Sequence, residues 1–158
     1  MLAVHDATAA DRGFIDALLA REWGGPHMVS RGVVHDLRTV PSLVATRDGA
    51  PCGLATYVVT GDACEITSMD ATAPHVGVGT ALLDAVIARA RGAGCKRLWL
   101  ITTNDNLDAL RFYQRRGLVL ARVHANAIEQ SRRLKPSIPL TGAHGIPIRD
   151  ELELELHL

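Results

Sequence analysis

The 158-residue chain has few aromatic residues: two Trp, two Tyr and two Phe. It also has no net charge, since Lys plus Arg and Asp plus Glu both number 17. A neutral chain argues against a partner held mainly through phosphate electrostatics, such as bulk nucleic acid. Cysteine is scarce: Cys52, Cys64 and Cys95, an odd number with no CxxC pair. All three lie in apolar surroundings and read as reduced core residues of a cytoplasmic protein. The seven histidines make no ligand spacing with them, so no metal site is expected. No apolar run approaches the ~18 residues of a membrane span. The opening "MLAVHDATAADRG" lacks the basic and apolar regions of a secretory signal. Among so few aromatics, the adjacent pair Phe112–Tyr113 stands out, because a core helix needs bulk but not a phenol.

The length fits one domain over residues 1–158 with a sizeable core. Charge is uneven: residues 1–79 carry 5 basic and 9 acidic groups, residues 80–158 carry 12 and 8. The basic half could face an anionic cofactor; a solvated surface accounts for the same numbers. Apolar spacing predicts a strand at "LAVHDA", then a helix opened by Thr8 and Asp11 with Phe14, Ile15, Leu18 and Leu19 inward. A weaker helix is expected over "SRGVVHDLRT", stopped by Pro41. Three strands follow, "SLVATRDG", "CGLATYVVT" and "ACEITSMDA", as an antiparallel meander. "VGTALLDAVIARARGAG" reads as a helix and "RLWLITT" as a strand buried on both faces. "NLDALRFYQRR" reads as a helix capped by Asn104 or Asp105 and ended by Gly117. "LVLARV" is a strand and "HANAIEQSRRL" a short helix. The Pro- and Gly-bearing "KPSIPLTGAHGIPIRD" is a long loop of the kind that is functional or disordered. "ELELELHL" alternates strictly and reads as a half-exposed terminal strand whose glutamates discourage edge pairing. The elements imply an α/β fold with a central mixed sheet.

Two motifs carry chemistry. In "HVGVGTALL", Gly77 and Gly79 let backbone pass close to a ligand, and the helix beyond offers free N–H groups at its positive end. That makes an anion site, although a plain structural turn needs the same glycines. The stretch is neither a dinucleotide fingerprint, because Leu82 stands where a third glycine would be, nor a P-loop. In "NDNLDALRFYQRRG", Asn106, Ala109, Tyr113 and Gly117 follow N-x-x-A-x-x-x-Y-x-x-x-G, with Asn106, Ala109 or Leu110, and Tyr113 on one helix side. Tyr113 alone would also serve as an ordinary half-buried core residue.

These two motifs, in this order and about thirty residues apart with a strand between, resemble the GNAT superfamily of acetyl-CoA-dependent N-acetyltransferases. The resemblance runs from the first strand to about Val123. It implies a mixed, mostly antiparallel twisted sheet flanked by helices, with splayed central strands. It implies acetyl-CoA as co-substrate, an amine acceptor of small-molecule or peptide kind, and no metal; no nucleic-acid or membrane partner is expected, and the terminal strand could pair in a homodimer. Met69, Asp70 and Ala71 would bond the pantetheine through their main chain. Amides of Val76, Gly77, Val78, Gly79 and Thr80 would cradle the pyrophosphate. Asn106 and Ala109 would border the pantetheine arm, and Tyr113 would reach the thioester sulfur. Glu65 sits where one branch has a general base, with Asp70 as a rival. Pro74, His75 and Val76 replace the polar and basic residues the family often has before the first glycine, which shifts pyrophosphate binding onto backbone amides.

Amine chemistry fits these roles. An amine attacks only when neutral, and a lysine-type amine has a pKa of about 10.4, so a base is needed. A phenol with a pKa near ~10 stays protonated at neutral pH and can serve the leaving thiolate, an effect of roughly 10²–10⁴ in rate. No cysteine lies in either motif, so direct transfer in a ternary complex is expected. Two other classes stay open: a non-catalytic acyl-CoA-binding or regulatory module on this fold, and a nucleotide-binding protein using the glycine turn.

Overall fold

Turn chemistry sets the order of the elements in the computed structural model, which describes residues 1–72 and 77–158. Strand β1 (Leu2–Asp6) leads through a 3-10 turn into helix α1 (Arg12–Trp23). Asp11 closes that start by accepting the Thr8 N–H at 2.8 Å and the Thr8 hydroxyl at 3.1 Å. Ile15, Leu18 and Leu19 are buried along one side.

The helix expected over residues 30–39 is absent. In its place β2 (His27–Ser30) and β3 (Val33–Asp36) form an antiparallel hairpin. Arg31 and Gly32 both take positive φ, 48° and 76°, the geometry of a two-residue hairpin turn. Val33 and Val34 are β-branched and favour the strand.

Strands β4 (Ser42–Arg47), β5 (Ala50–Thr60) and β6 (Ala63–Ala71) make the expected meander, turning at Asp48–Gly49 and Gly61–Asp62. Helix α2 (Val78–Gly92), β7 (Arg97–Thr103), α3 (Leu107–Arg115), β8 (Val119–His124), α4 (Ala127–Leu134) and β9 (Glu151–His157) complete the chain. The main sheet has the order β1-β4-β5-β6-β7-β9-β8, with β6 and β7 its one parallel pair. Leu82, Leu83 and Val86 of α2 join Leu43, Ala55, Leu98, Leu100 and Leu154 in one core; Tyr113 of α3 belongs to it. Leu18, Leu19 and Met28 pack on Val44 and Leu54 on the opposite face.

Two strand expectations need correction. β9 is not a half-exposed edge strand: it lies between β7 and β8, and Glu151 through Leu154 are buried. Its glutamates meet basic side chains rather than open water. Arg97 donates to Glu155 at 2.5 Å and also to Glu153, His124 is 2.9 Å from Glu153, and Arg31 donates to Glu151 at 2.9 Å. β7 is not equally buried on both faces. Leu98, Leu100 and Thr102 are buried, whereas Trp99, Ile101 and Thr103 are half-buried because their face meets ionic groups and a cavity.

Candidate active site

The centre of the site is a place where the sheet opens. β6 pairs with β7 only over Ala63–Ile66 against Arg97–Leu100. Beyond Leu100, β7 stays paired with β9 through Thr103↔Glu151 and so leaves β6. A bulge starts the divergence: Thr56 opposes Ser68 while Tyr57 opposes Ile66, which makes Thr67 the extra residue. The Thr56 hydroxyl pins it, 2.7 Å from the Thr67 hydroxyl and 2.6 Å from that of Ser68. On the β7 side, residues 67–71 therefore have no ladder partner among the described residues. Met69, Asp70 and Ala71 lie on this open stretch, with Met69 packed against the α2 core.

Helix α2 begins beside the opening. Gly77 has φ +100°, a conformation that L side chains rarely adopt. Gly79 has a different reason: a Cβ there would stand 2.9 Å from the Phe112 ring. The Ala81 N–H donates to the Gly77 carbonyl, and the N–H groups of Val78, Gly79 and Thr80 have no intrahelical partner among the described residues. Val76, Pro74 and His75 lie outside the described residues. Arg116, which the motif reading passed over, stands at this end of α2. Its guanidinium lies 3.7 Å from the Phe112 ring centroid, and its Nε donates to the Thr80 hydroxyl at 2.9 Å. The Phe112–Arg116 spacing of four on a helix was its only sequence signal.

Asn106, rather than Asn104 or Asp105, caps α3; its Oδ1 accepts the Ala109 N–H at 3.3 Å. Asn104 and Asp105 instead moor the long loop: Asn104 accepts the N–H groups of Arg149 and Asp150, and Asp105 accepts that of Ala143. Tyr113 is buried with its ring edge-on to Phe112, centroids 5.0 Å apart. Burial pushes its phenol pKa well up, and the nearby Asp70 carboxylate adds to the shift. The hydroxyl has no hydrogen-bond partner among the described residues.

Two carboxyls stand on the face away from α2. The Asp70 carboxyl is raised by burial, opposed by the Trp23 indole N–H that donates to it at 2.8 Å. The Glu65 carboxyl is raised by burial, opposed by the Ser30 hydroxyl that donates to it at 2.6 Å, while Glu151 and Glu153 raise it further. His35 Nε2 stands 3.7 Å from Glu65, and burial lowers its pKa, so the ring favours the neutral form. Trp23, Ser30 and His35 come from α1 and the hairpin, at least 30 residues from their carboxylates, and no local spacing announces them.

A cavity of about 460 Å³ adjoins the opening, bordered by Trp23, Met28, Ile101, Thr103, Asn106 and Lys135 among others. Lys135 and Arg132 are drawn into the fold: Lys135 donates to the Trp23 and His27 carbonyls, and Arg132 to those of Pro139 and Ile148. Arg133 does stay exposed, 3.7 Å from Glu129. His124 is taken up by Glu153, and His144 is exposed in a single turn of the loop. Arg149 and Asp150 pair with each other, and Asp150 also accepts the Asn126 N–H, so they hold the entry to β9. Among the described residues no group of three or more His, Cys, Asp or Glu side chains could hold a metal ion, and no helix is long and apolar enough to cross a membrane.

Residues 14–118 match the family model described as the Acetyltransferase (GNAT) family. The uncharacterized protein YxbD of Bacillus subtilis is 41% identical over 144 residues, 90% of this chain and 91% of that protein. Among solved structures, an IAA acetyltransferase from Bacillus cereus superposes with a TM-score of 0.78 at 21% identity, over 100% of both chains. A GNAT family acetyltransferase from Elizabethkingia anophelis with acetyl-CoA bound gives a TM-score of 0.72 at 18% identity, over 99% of this chain and 98% of that one.

Proposed function

The chain belongs to the GNAT acetyltransferase family, and from that premise we propose that it is an acetyl-CoA-dependent N-acetyltransferase acting by direct attack of an acceptor amine in a ternary complex. The observation that carries the reading is the opening between β6 and β7, with buried Tyr113 and Asp70 close enough to interact electrostatically. In this reading residues 1–158 form one catalytic domain, and the unpaired cysteines suit a reducing cytoplasm.

The donor fits the residues present. The main chain of Met69, Asp70 and Ala71, open on its β7 side, would hold the pantetheine, with Asn106 and Ala109 bordering it. The free N–H groups at the start of α2 would hold the pyrophosphate, assisted by the Arg116 cation. Acetyl-CoA supplies an activated acetyl thioester; the protein supplies position and proton control. Glu65, ionised, takes the proton of the acceptor ammonium, with Asp70 as the alternative base nearer Tyr113. Burial raises the Tyr113 phenol above its ordinary value and so keeps it protonated at neutral pH. Full proton transfer from it to a thiolate of pKa about 8.5 is uphill, so Tyr113 acts chiefly as a hydrogen-bond donor to the departing sulfur.

The test joins binding to turnover. Acetyl-CoA at about 100 times its Kd should add roughly 2.7 kcal/mol of apparent stability, with ATP and NAD as controls. Tyr113→Phe should keep that shift and lower kcat by about 10² or more. An unchanged kcat removes Tyr113 from the chemistry. No shift with millimolar acetyl-CoA removes the donor, and a shift without turnover on any amine leaves a binding module.

A further inference from the structure

The cavity beside the opening is apolar over most of its wall, with Trp23, Met28, Ile101, Ile128, Ile138 and Ile148 all lining it. Its two bordering carboxylates are already committed, Glu22 to Arg21 at 2.8 Å and Glu151 to Arg31 at 2.9 Å. Lys135 is different. Two of its three ammonium donors go to the Trp23 and His27 carbonyls, at 2.6 and 2.8 Å, and the ammonium stands 5.8 Å from the Trp23 ring. Those neutral partners solvate the cation, but no carboxylate lies within ion-pair distance among the described residues. One N–H and an uncompensated, half-buried positive charge therefore border an apolar cavity, and desolvation lowers the ammonium pKa. A charge in that setting is stabilised by an incoming anion. At the other end of the same residue, the Trp23 indole N–H holds Asp70 at 2.8 Å. Trp23 thus stands between the Asp70 carboxyl near the opening and a cation on the far wall.

We infer that the acceptor is an apolar amino acid: its side chain fills the cavity, its carboxylate meets Lys135, and its amino group faces the Asp70 side. The inference rests on the acetyltransferase reading above. The transfer forms an N–C bond, breaks the thioester C–S bond, passes the amine's proton to a site carboxylate and leaves the electron pair on sulfur. A polyamine or an aminoglycoside finds on the cavity wall only Glu22 and Glu151, each already paired with an arginine, and a carboxylate-free amine leaves the Lys135 charge unmet.

The experiment compares kcat/KM for L-leucine with L-leucinamide and 3-methylbutylamine, which lack the carboxylate, and with L-asparagine, which has leucine's shape without its apolar surface. A charge-assisted hydrogen bond predicts about ten- to hundredfold preference for leucine over the carboxylate-free amines. Lys135→Met should bring that ratio toward one, Lys135→Arg should retain most of it, and the acetyl-CoA Kd should hold in both. A wild-type ratio near one, a ratio unmoved in Lys135→Met, or asparagine equal to leucine overturns the inference. If polyamines or aminoglycosides turn over and leucine does not, the amino-acid acceptor falls while the acetyltransferase reading stands. If no amine of any class turns over while acetyl-CoA binds, both fall. The wild-type ratios decide the matter even if Lys135→Met does not fold.

Discussion

The two faces of β9 hold the same strand in place by opposite means. Leu154 and Leu156 face the side of α2 and α3, where they join a core with Leu98, Leu100 and Leu83 and the stabilisation is burial of apolar area. Glu151, Glu153 and Glu155 face the other side, where Arg31 and Arg97 neutralise them and His124 hydrogen-bonds Glu153. The first face is insensitive to direction and asks for volume; the second asks for partners at defined positions. That second face also carries Glu65 and its Ser30 and His35 neighbours. The ionic face is where pKa values can be set, whereas the apolar face supports the α2 and α3 ends that border the opening.

Breaking each face should look different. The largest loss is expected from Leu154→Ala, a fully buried side chain on the apolar face, at about 2–5 kcal/mol in denaturant unfolding. On the ionic face, Arg31→Met leaves Glu151, 1% exposed, short of its cation and should cost about 2–3 kcal/mol. The double change Arg31→Met with Glu151→Leu should recover most of that. A double-mutant cycle showing simple additivity would mean that the pair is not what holds this face. Gly79→Ala puts a methyl 2.9 Å from the Phe112 ring and should cost about 1–3 kcal/mol while weakening acetyl-CoA in calorimetry, since the displaced ring carries Arg116 with it.

The smallest effect on stability, and the sharpest on mechanism, belongs to Glu65. Burial raises its carboxyl pKa, so the folded state favours the neutral form. That contribution is present below the unfolded carboxylate pKa and is lost as pH rises through the raised folded value. Glu65→Gln should therefore raise Tm at neutral pH, with the difference vanishing in acid. The base must be ionised, so wild-type kcat/KM should rise with pH above the ordinary carboxylate range, and the Gln variant should lack that limb. An unaltered pH profile would pass the role to Asp70.

Much of the apolar face was legible in the chain. The strands of the meander and helices α2 and α3 follow periodicity and turn residues, which are local. The hairpin at 27–36 was missed because Val33 and Val34 next to His35 and Asp36 fit a short helix as well as a strand, and only the positive φ at Arg31 and Gly32 decides. The strict alternation of "ELELELHL" identified a strand but not its neighbours; insertion between β7 and β8 turned its glutamates inward. At the site, the stretches holding Gly77, Gly79, Asn106 and Tyr113 were visible as motifs. Trp23, Ser30, His35 and Lys135 were not, because each meets its partner only across the folded sheet or loop.

The sequence by itself determined the family, the strand and helix content at the centre of the chain, and the residues that open α2 and cap and fill α3. These depend on periods, glycines and caps within a few positions of one another. The tertiary structure decided which charges are paired, where β6 parts from β7, and which cation borders the cavity. Those properties depend on distances between segments up to 120 residues apart, such as Arg31 and Glu151. Pairing and burial at such range follow from the closing of the sheet, and no local pattern encodes them.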